Sequence, residues 1–412
     1  MSYHIQHSNP LSKTFRFLFL LFVLALPISQ QLSTWLLVAC FVLSLVLPWW
    51  RGAWVRTFHS GWFFFLYMAL LLTGMLYTQD TVSGWKVIET HFAFLALPFV
   101  FGKIFPVDGA EEKKILRALL IGIAAGSLLY SGKGAYDCIQ LGYFSENVFY
   151  ESASLLDFAP TYVACFMVTG LTIALYQLSA EKRFIPPILA LALIIILFPW
   201  LLVTMNQSAF IAFLFILSFF LFQFVAEASK RKRNAMLAAA VLLVSMFGAR
   251  HYMELRPDLY VTDSGERFAL WNAAVLANTD VFAGVGTGDY TQVLTDYYKT
   301  IHEQKFAAKE YNAHNQYINT WLGIGLAGLL TFLTMLILPL YFSAKCQYKL
   351  GVLLLFPFAV YACSEVFLGR YQGLVMWTFL NQLVMNKSLF ELGQKSIRVN
   401  SAWVRYEGQN KV

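Results

Sequence analysis

Charge is scarce in this chain. Of 412 residues only 13% are Asp, Glu, Lys or Arg, about half the share of a soluble domain, and that argues against a water-soluble fold. The 38 Phe, 21 Tyr and 11 Trp exceed what one core hides, and too little charge remains to cover the outside. Cysteine is also sparse: Cys40, Cys165 and Cys363 fall in apolar stretches, Cys346 falls at a basic end, and Cys138 alone falls in an external loop, so no external disulfide is expected within the chain. No internal repeat, low-complexity tract or heptad run is visible. There is no Asp-x-Asp pair, and His251, His302 and His314 lack close ligand spacing, so neither a metal nor a cofactor is expected.

What remains is hydropathy. Windows of about 19 residues pick out apolar stretches near 15–29, 33–50, 61–78, 86–102, 115–132, 158–178, 184–203, 207–226, 234–249, 314–342, 350–367 and 369–386. The expected fold is an all-α integral membrane protein of about twelve transmembrane helices. The stretch at 86–102 is the least regular, since it carries Glu89 and His91. The one at 314–342 is long enough for a tilted helix or an interfacial first turn.

The basic residues alternate along this frame. With the amino terminus inside, 21 of the 30 Lys and Arg fall on the cytoplasmic side, among them Lys230-Arg-Lys-Arg233, a topology anchor rather than a nucleic-acid site. The first stretch is short and follows basic residues, as a signal peptide would, but its removal would leave an odd number of crossings. The expected organisation is therefore 1–249 as helices one to nine, 250–313 as a long periplasmic loop, 314–386 as helices ten to twelve, and 387–412 as a cytoplasmic tail. A loop of some 64 residues among otherwise short connections points to function. The aromatic and acidic loop from Lys133 to Asp157 faces the same side.

Within the long loop, two helices are expected around a glycine turn. Glu266 to Asn278 carries Phe268, Trp271 and Val275 at helical spacing, a face for the membrane surface or for the bundle. Gly284-Val-Gly286-Thr-Gly288-Asp289 then permits sharp turns and close backbone approach, either as a plain turn or toward an anion. It lacks the Walker lysine and is no nucleotide fingerprint. Arg250, Arg256 and Arg267 offer planar guanidinium groups suited to phosphate oxygens, or simply to lipid headgroups. His314, in Tyr311-Asn-Ala-His-Asn-Gln-Tyr317, sits where the loop re-enters the membrane. There it is either a proton acceptor for a sugar hydroxyl or an interfacial histidine in an aromatic belt.

Taken together, Glu266-Arg267-Phe-Ala-Leu-Trp271, Gly284-Val-Gly286-Thr-Gly288, His314-Asn315-Gln-Tyr317 and Leu322-Gly323-Ile-Gly325-Leu-Ala-Gly328, with Ser364-Glu365 further on, resemble the O-antigen ligase and polymerase superfamily of bacterial membrane glycosyltransferases, and O-antigen ligase most closely. The resemblance implies transfer of a glycan from undecaprenyl pyrophosphate to a lipid A-core or other glycan acceptor, at the periplasmic face of the inner membrane, by inversion and without metal. It assigns the diphosphate contact to Arg267 and activation of the acceptor hydroxyl, or orientation of the leaving group, to His314. Arg250, Asn315, Tyr317, Lys86, Gln207 and Glu365 are the expected substrate-binding residues. One departure stands out: where the family often carries Ser-Arg, this chain has Thr204-Met-Asn-Gln207-Ser208. Gln207 brings hydrogen bonds but no charge, which leaves Arg250 or Lys86 to supply the second cation.

The alternatives share the donor chemistry: an O-antigen or exopolysaccharide polymerase, or a protein O-oligosaccharyltransferase. A lipid-linked sugar transporter is the different class, with Glu89, His91 and Glu365 as intramembrane polar sites. The absence of a repeat between the two halves weighs against it.

Overall fold

The apolar stretches fold as helices. The computed structural model describes residues 10–47, 53–143, 148, 151, 158–181, 183–204, 206–226 and 257–409. Arg250, Arg256, the stretch 234–249 and the segment Lys230–Arg233 lie outside the described residues. Among the described residues there is no strand. The helices are α1 (Pro10–Ala25), α2 (Gln30–Val46), α3 (Ala53–Gly74), α4 (Thr81–Thr90), α5 (Ala93–Ile104), α6 (Gly109–Leu141), α7 (Pro160–Ser179), α8 (Pro187–Val203), α9 (Gln207–Ala226), α10 (Pro257–Ala277), α11 (Tyr290–Thr300), α12 (Gln304–Ala308), α13 (Gln316–Cys346), α14 (Lys349–Ala362) and α15 (Tyr371–Gln409), with a 3-10 turn at Phe367–Gly369.

The described apolar stretches fall on these helices. Among the described residues, five spans are long and apolar enough to cross a bilayer: Trp54–Gly74, Thr81–Ile104, Gly109–Leu141, Pro160–Ser179 and Gln316–Cys346. Their ends carry ordinary stop and start signals. The Asp108 side chain accepts from the Ala110 and Glu111 N–H groups at the head of α6, and Ser29 accepts from Leu32 N–H at the head of α2. Proline opens α7 and α8, where its missing N–H costs nothing.

At the centre lies α15, whose residues 372–388 are all buried. Phe379 meets Phe19, Phe22 and Phe101, while Trp377 packs on Phe358 and Phe367. Its buried amides are spent on neighbouring backbones: Gln382 Nε2 donates to Ser60 O at 2.7 Å and Asn381 Nδ2 to Met335 O at 2.9 Å. Such bonds tie α3 and α13 to the central helix where water cannot compete.

Three boundaries differ from the hydropathy reading. The external loop expected from Lys133 begins later, because α6 runs to Leu141 and carries Lys133 and the buried Cys138. The stretch at 86–102 is two helices, α4 and α5, separated by a turn at His91–Phe92. The region from 387 does not begin a separate tail: α15 runs on through Gln409. Lys387 opens that continuation while buried, because Glu112 and Glu391 both lie 3.2 Å from its ammonium.

Candidate active site

The long loop docks into a broken helix. Inside α13, Ile324 (φ −129°, ψ 24°) and Gly325 (φ 64°, ψ −164°) leave the helical region, which frees the carbonyls of Leu322 and Gly323. The glycine turn takes them: Val285 N–H donates to Leu322 O at 2.8 Å and Gly286 N–H to Gly323 O at 3.1 Å. In return Leu326 N–H reaches Val281 O at 3.1 Å. Only glycine fits this approach, since a Cβ at Gly325 would lie 1.9 Å from Phe282 O. Gly284 and Gly286 also sit at positive φ.

The same turn is held from the other side. Gln79 N–H and Asp80 N–H donate to the Asp289 carboxylate at 2.8 and 2.7 Å, Gly288 N–H donates to Thr78 Oγ1 at 3.3 Å, and Thr287 Oγ1 donates to Leu71 O at 2.7 Å. Hydrogen bonds to protein thus engage the N–H groups of Gly284, Val285, Gly286 and Gly288, so the plain-turn reading holds and they form no anion cradle. The turn is a latch between α3, α4 and α13.

Above the latch, α10, α11, α12 and the start of α13 share a satellite core: Leu270, Ala273, Ala274 and Ala277 against Leu294, Tyr298, Phe306, Ala313 and Leu322. The helix expected at 266–278 is present, but a different face is buried. Small alanines allow close approach to the bundle, while Phe268 is 67% and Val275 47% exposed. Of the expected stripe, Phe268 and Val275 thus point away from the satellite core, and Trp271 is half-buried.

This core seats the two catalytic candidates. Arg267 is half-buried on α10, one turn ahead of Leu270, and Glu266 beside it pairs with Lys305 of α12. His314 follows buried Ala313 and holds a left-handed backbone, φ 42°, a conformation that costs a side chain about 1–2 kcal/mol. Asn312 Oδ1, accepting from His314 N–H at 2.8 Å, and the Tyr311 ring, edge-on at 5.7 Å, hold it there.

The substrate-binding candidates divide. Asn315 caps α13, accepting from Ile318 N–H at 3.1 Å and donating to Cys363 O at 3.3 Å, so its amide is engaged in structure. Tyr317 donates to Ala359 O at 3.1 Å and packs on Phe332. Through Cys363 the His314–Asn315 corner adjoins Ser364–Glu365, and the Ser364 hydroxyl shares a hydrogen bond with Ser208, the residue after Gln207. These contacts bring the starts of α9 and α13, where helix dipoles favour anions, to the 363–364 segment. Lys86 stands apart, exposed on α4, and forms no ion pair among the described residues. Sequence reasoning passed over Arg370, an exposed cation a few residues from Glu365 whose charge opposes that of Glu365 at the Tyr162 hydroxyl. Its place among the external basic residues was the available signal.

Composition and fold define a multi-pass helical membrane protein. The family model described as O-antigen ligase matches residues 188–333, a stretch that contains Gln207, Arg267, the latch and His314. The resemblance to the O-antigen ligase superfamily is thereby supported. An uncharacterized protein of Haemophilus influenzae is 24% identical over 127 residues, covering 28% of this chain and 32% of that protein. The chain thus spans about a third of the length of the curated relative it matches.

Proposed function

We propose that this chain is an O-antigen ligase of the bacterial inner membrane, moving a glycan from undecaprenyl pyrophosphate to the lipid A-core oligosaccharide at the periplasmic face. The observation that supports the reading is that Arg267 and His314 lie next to members of one satellite core, three residues before Leu270 and directly after Ala313, inside the stretch that matches the O-antigen ligase family model. A lipid diphosphate stays tethered at headgroup level, and groups that act on it must be held at that level. Arg267 stabilises the charge developing on the departing diphosphate. The His314 imidazole takes the proton from the acceptor hydroxyl as its oxygen attacks the anomeric carbon. The new glycosidic bond forms as the carbon–oxygen bond to the diphosphate breaks, with inversion. Gln207, Glu365 and Arg370 border the helix starts around that position and contact the donor headgroup. The chain's mostly apolar surface meets membrane lipid.

The test is complementation of a deletion strain. His314→Ala and Arg267→Ala, at normal membrane abundance, leave polymerised glycan on the lipid carrier and none on core. Normal surface glycan in both variants refutes the assignment. A deletion that leaves single repeats attached to core makes the protein a polymerase instead, and donor trapped on the cytoplasmic side makes it a transporter.

A further inference from the structure

Beneath the latch lies a small cavity of about 30 Å³, walled among others by Tyr67, His91, Tyr290, Gln316, Asn319 and Thr320. Most of its polar rim is fixed by protein. Gln316 Nε2 donates to Thr320 Oγ1 at 2.9 Å, Leu368 N–H donates to Gln316 Oε1 at 2.9 Å, and Tyr67 and Thr320 hydroxyls are 3.4 Å apart. Two groups differ. His91 is only 5% exposed and Asn319 only 7%, yet His91 Nε2 and Asn319 Oδ1 have no hydrogen-bond partner among the described residues.

The tautomer of His91 follows from its other nitrogen. Nδ1 lies 2.8 Å from Val87 O; a carbonyl only accepts, so Nδ1 carries the hydrogen and Nε2 presents a lone pair. The ring cannot turn away, because it stacks on Tyr67 at 5.7 Å and 19° and meets the Phe94 ring edge at 5.3 Å. Two buried residues, each with an unpartnered acceptor, thus line one space with room for about one or two oxygen-sized groups, and burial without a donor is costly to both acceptors.

We propose that this cavity is a hydroxyl-binding site, in which His91 Nε2 and Asn319 Oδ1 accept hydrogen bonds from O–H donors. One chemistry has two sources. A water molecule carries two O–H groups and satisfies both acceptors alone; two neighbouring hydroxyls of a sugar give one each. The second source rests on the glycan-transfer reading above; the first does not. Either way the ligand bridges α4–α5 to the first half of α13, directly under the docked loop.

The experiment uses the full chain in lipid nanodiscs, with nitrogen-15 in its histidines and the His91 signal assigned by its loss in His91→Phe. In protein free of glycan, an Nε2 resonance shifted to the position of a hydrogen-bonded acceptor, and moved back toward the free position by Asn319→Leu, identifies water. A free Nε2 that shifts only on saturation with a lipid-linked sugar diphosphate identifies a sugar hydroxyl. A free Nε2 under both conditions overturns the proposal. A bonded Nε2 in a protein that transfers no glycan would sink the ligase reading alone.

Discussion

Gly325→Ala probes the latch most sharply. The added methyl carbon would lie 1.9 Å from Phe282 O and 2.4 Å from the carbonyl carbon. Both are backbone atoms, which cannot swing aside as a side chain would. An alanine at φ 64°, ψ −164° also sits in a region that only glycine visits freely, at a cost of about 1–3 kcal/mol. Relief requires the 281–286 turn to withdraw by more than an ångström, which breaks the bonds from Val285, Gly286 and Leu326 N–H, each worth about 1 kcal/mol. The expected penalty is about 4–6 kcal/mol, or at about 2 °C per kcal/mol a fall in melting temperature near 10 °C. Thermal melting in detergent measures it, and limited proteolysis reports undocking of the 278–290 segment. Gly132→Ala is the control, because its methyl meets nothing within 4 Å, and its expected change is under about 1 kcal/mol. If Gly325→Ala melts with wild type and its turn stays protected, the broken-helix latch is wrong.

Asp289→Asn keeps one acceptor for the Gln79 and Asp80 N–H groups and is expected to cost about 1.5–3 kcal/mol, read as a lower melting point; no change would mean that the carboxylate does not pin the loop. Hydrogen bonds from Ala283 and then Phe282 N–H hold the Asp280 carboxyl below its ordinary value, and Ser83, through its hydroxyl and then its N–H, does the same for Asp80. These depressed groups stabilise the folded turn above the ordinary value near 4 and lose that effect as pH falls through their folded values. Protease protection at 278–290 should therefore decline below about pH 4 and stay flat from 5 to 8; a decline between 5 and 8 would point to another group. Lys387→Met strips the Glu112 carboxylate of its buried partner and is expected to lower stability by about 3–5 kcal/mol, with recovery in Lys387→Met/Glu112→Gln; failure of that recovery would assign the loss to packing.

The frame was legible because burial in lipid demands long apolar runs, and those runs carry their own punctuation: Asp108 before α6, prolines at α7 and α8, glycines between α10 and α11. What stayed hidden depends on which surfaces meet. Phe268, Trp271 and Val275 at helical spacing left open whether that face meets the membrane or the bundle, and it is the alanines of α10 that line the satellite core, since close approach selects small residues and hydropathy selects large ones. The pairing of Gly325 with the 281–286 turn was equally silent, because local sequence does not say which distant carbonyls a loop will satisfy. His314 was singled out from its place where the loop re-enters the apolar frame, and the Asn315 amide beside it, which looks available for substrate, is already engaged by Ile318 and Cys363.

The central claim is that Arg267 and His314 together transfer a glycan from a lipid diphosphate. Purified protein, reconstituted in liposomes with lipid-linked glycan and lipid A-core acceptor, tests it most directly by measuring glycosylated acceptor and released lipid diphosphate. The account predicts equal amounts of both from wild type, and a loss of both by at least a hundredfold in His314→Ala and Arg267→Ala with the fold intact. Product formation by either variant at the wild-type rate would contradict it.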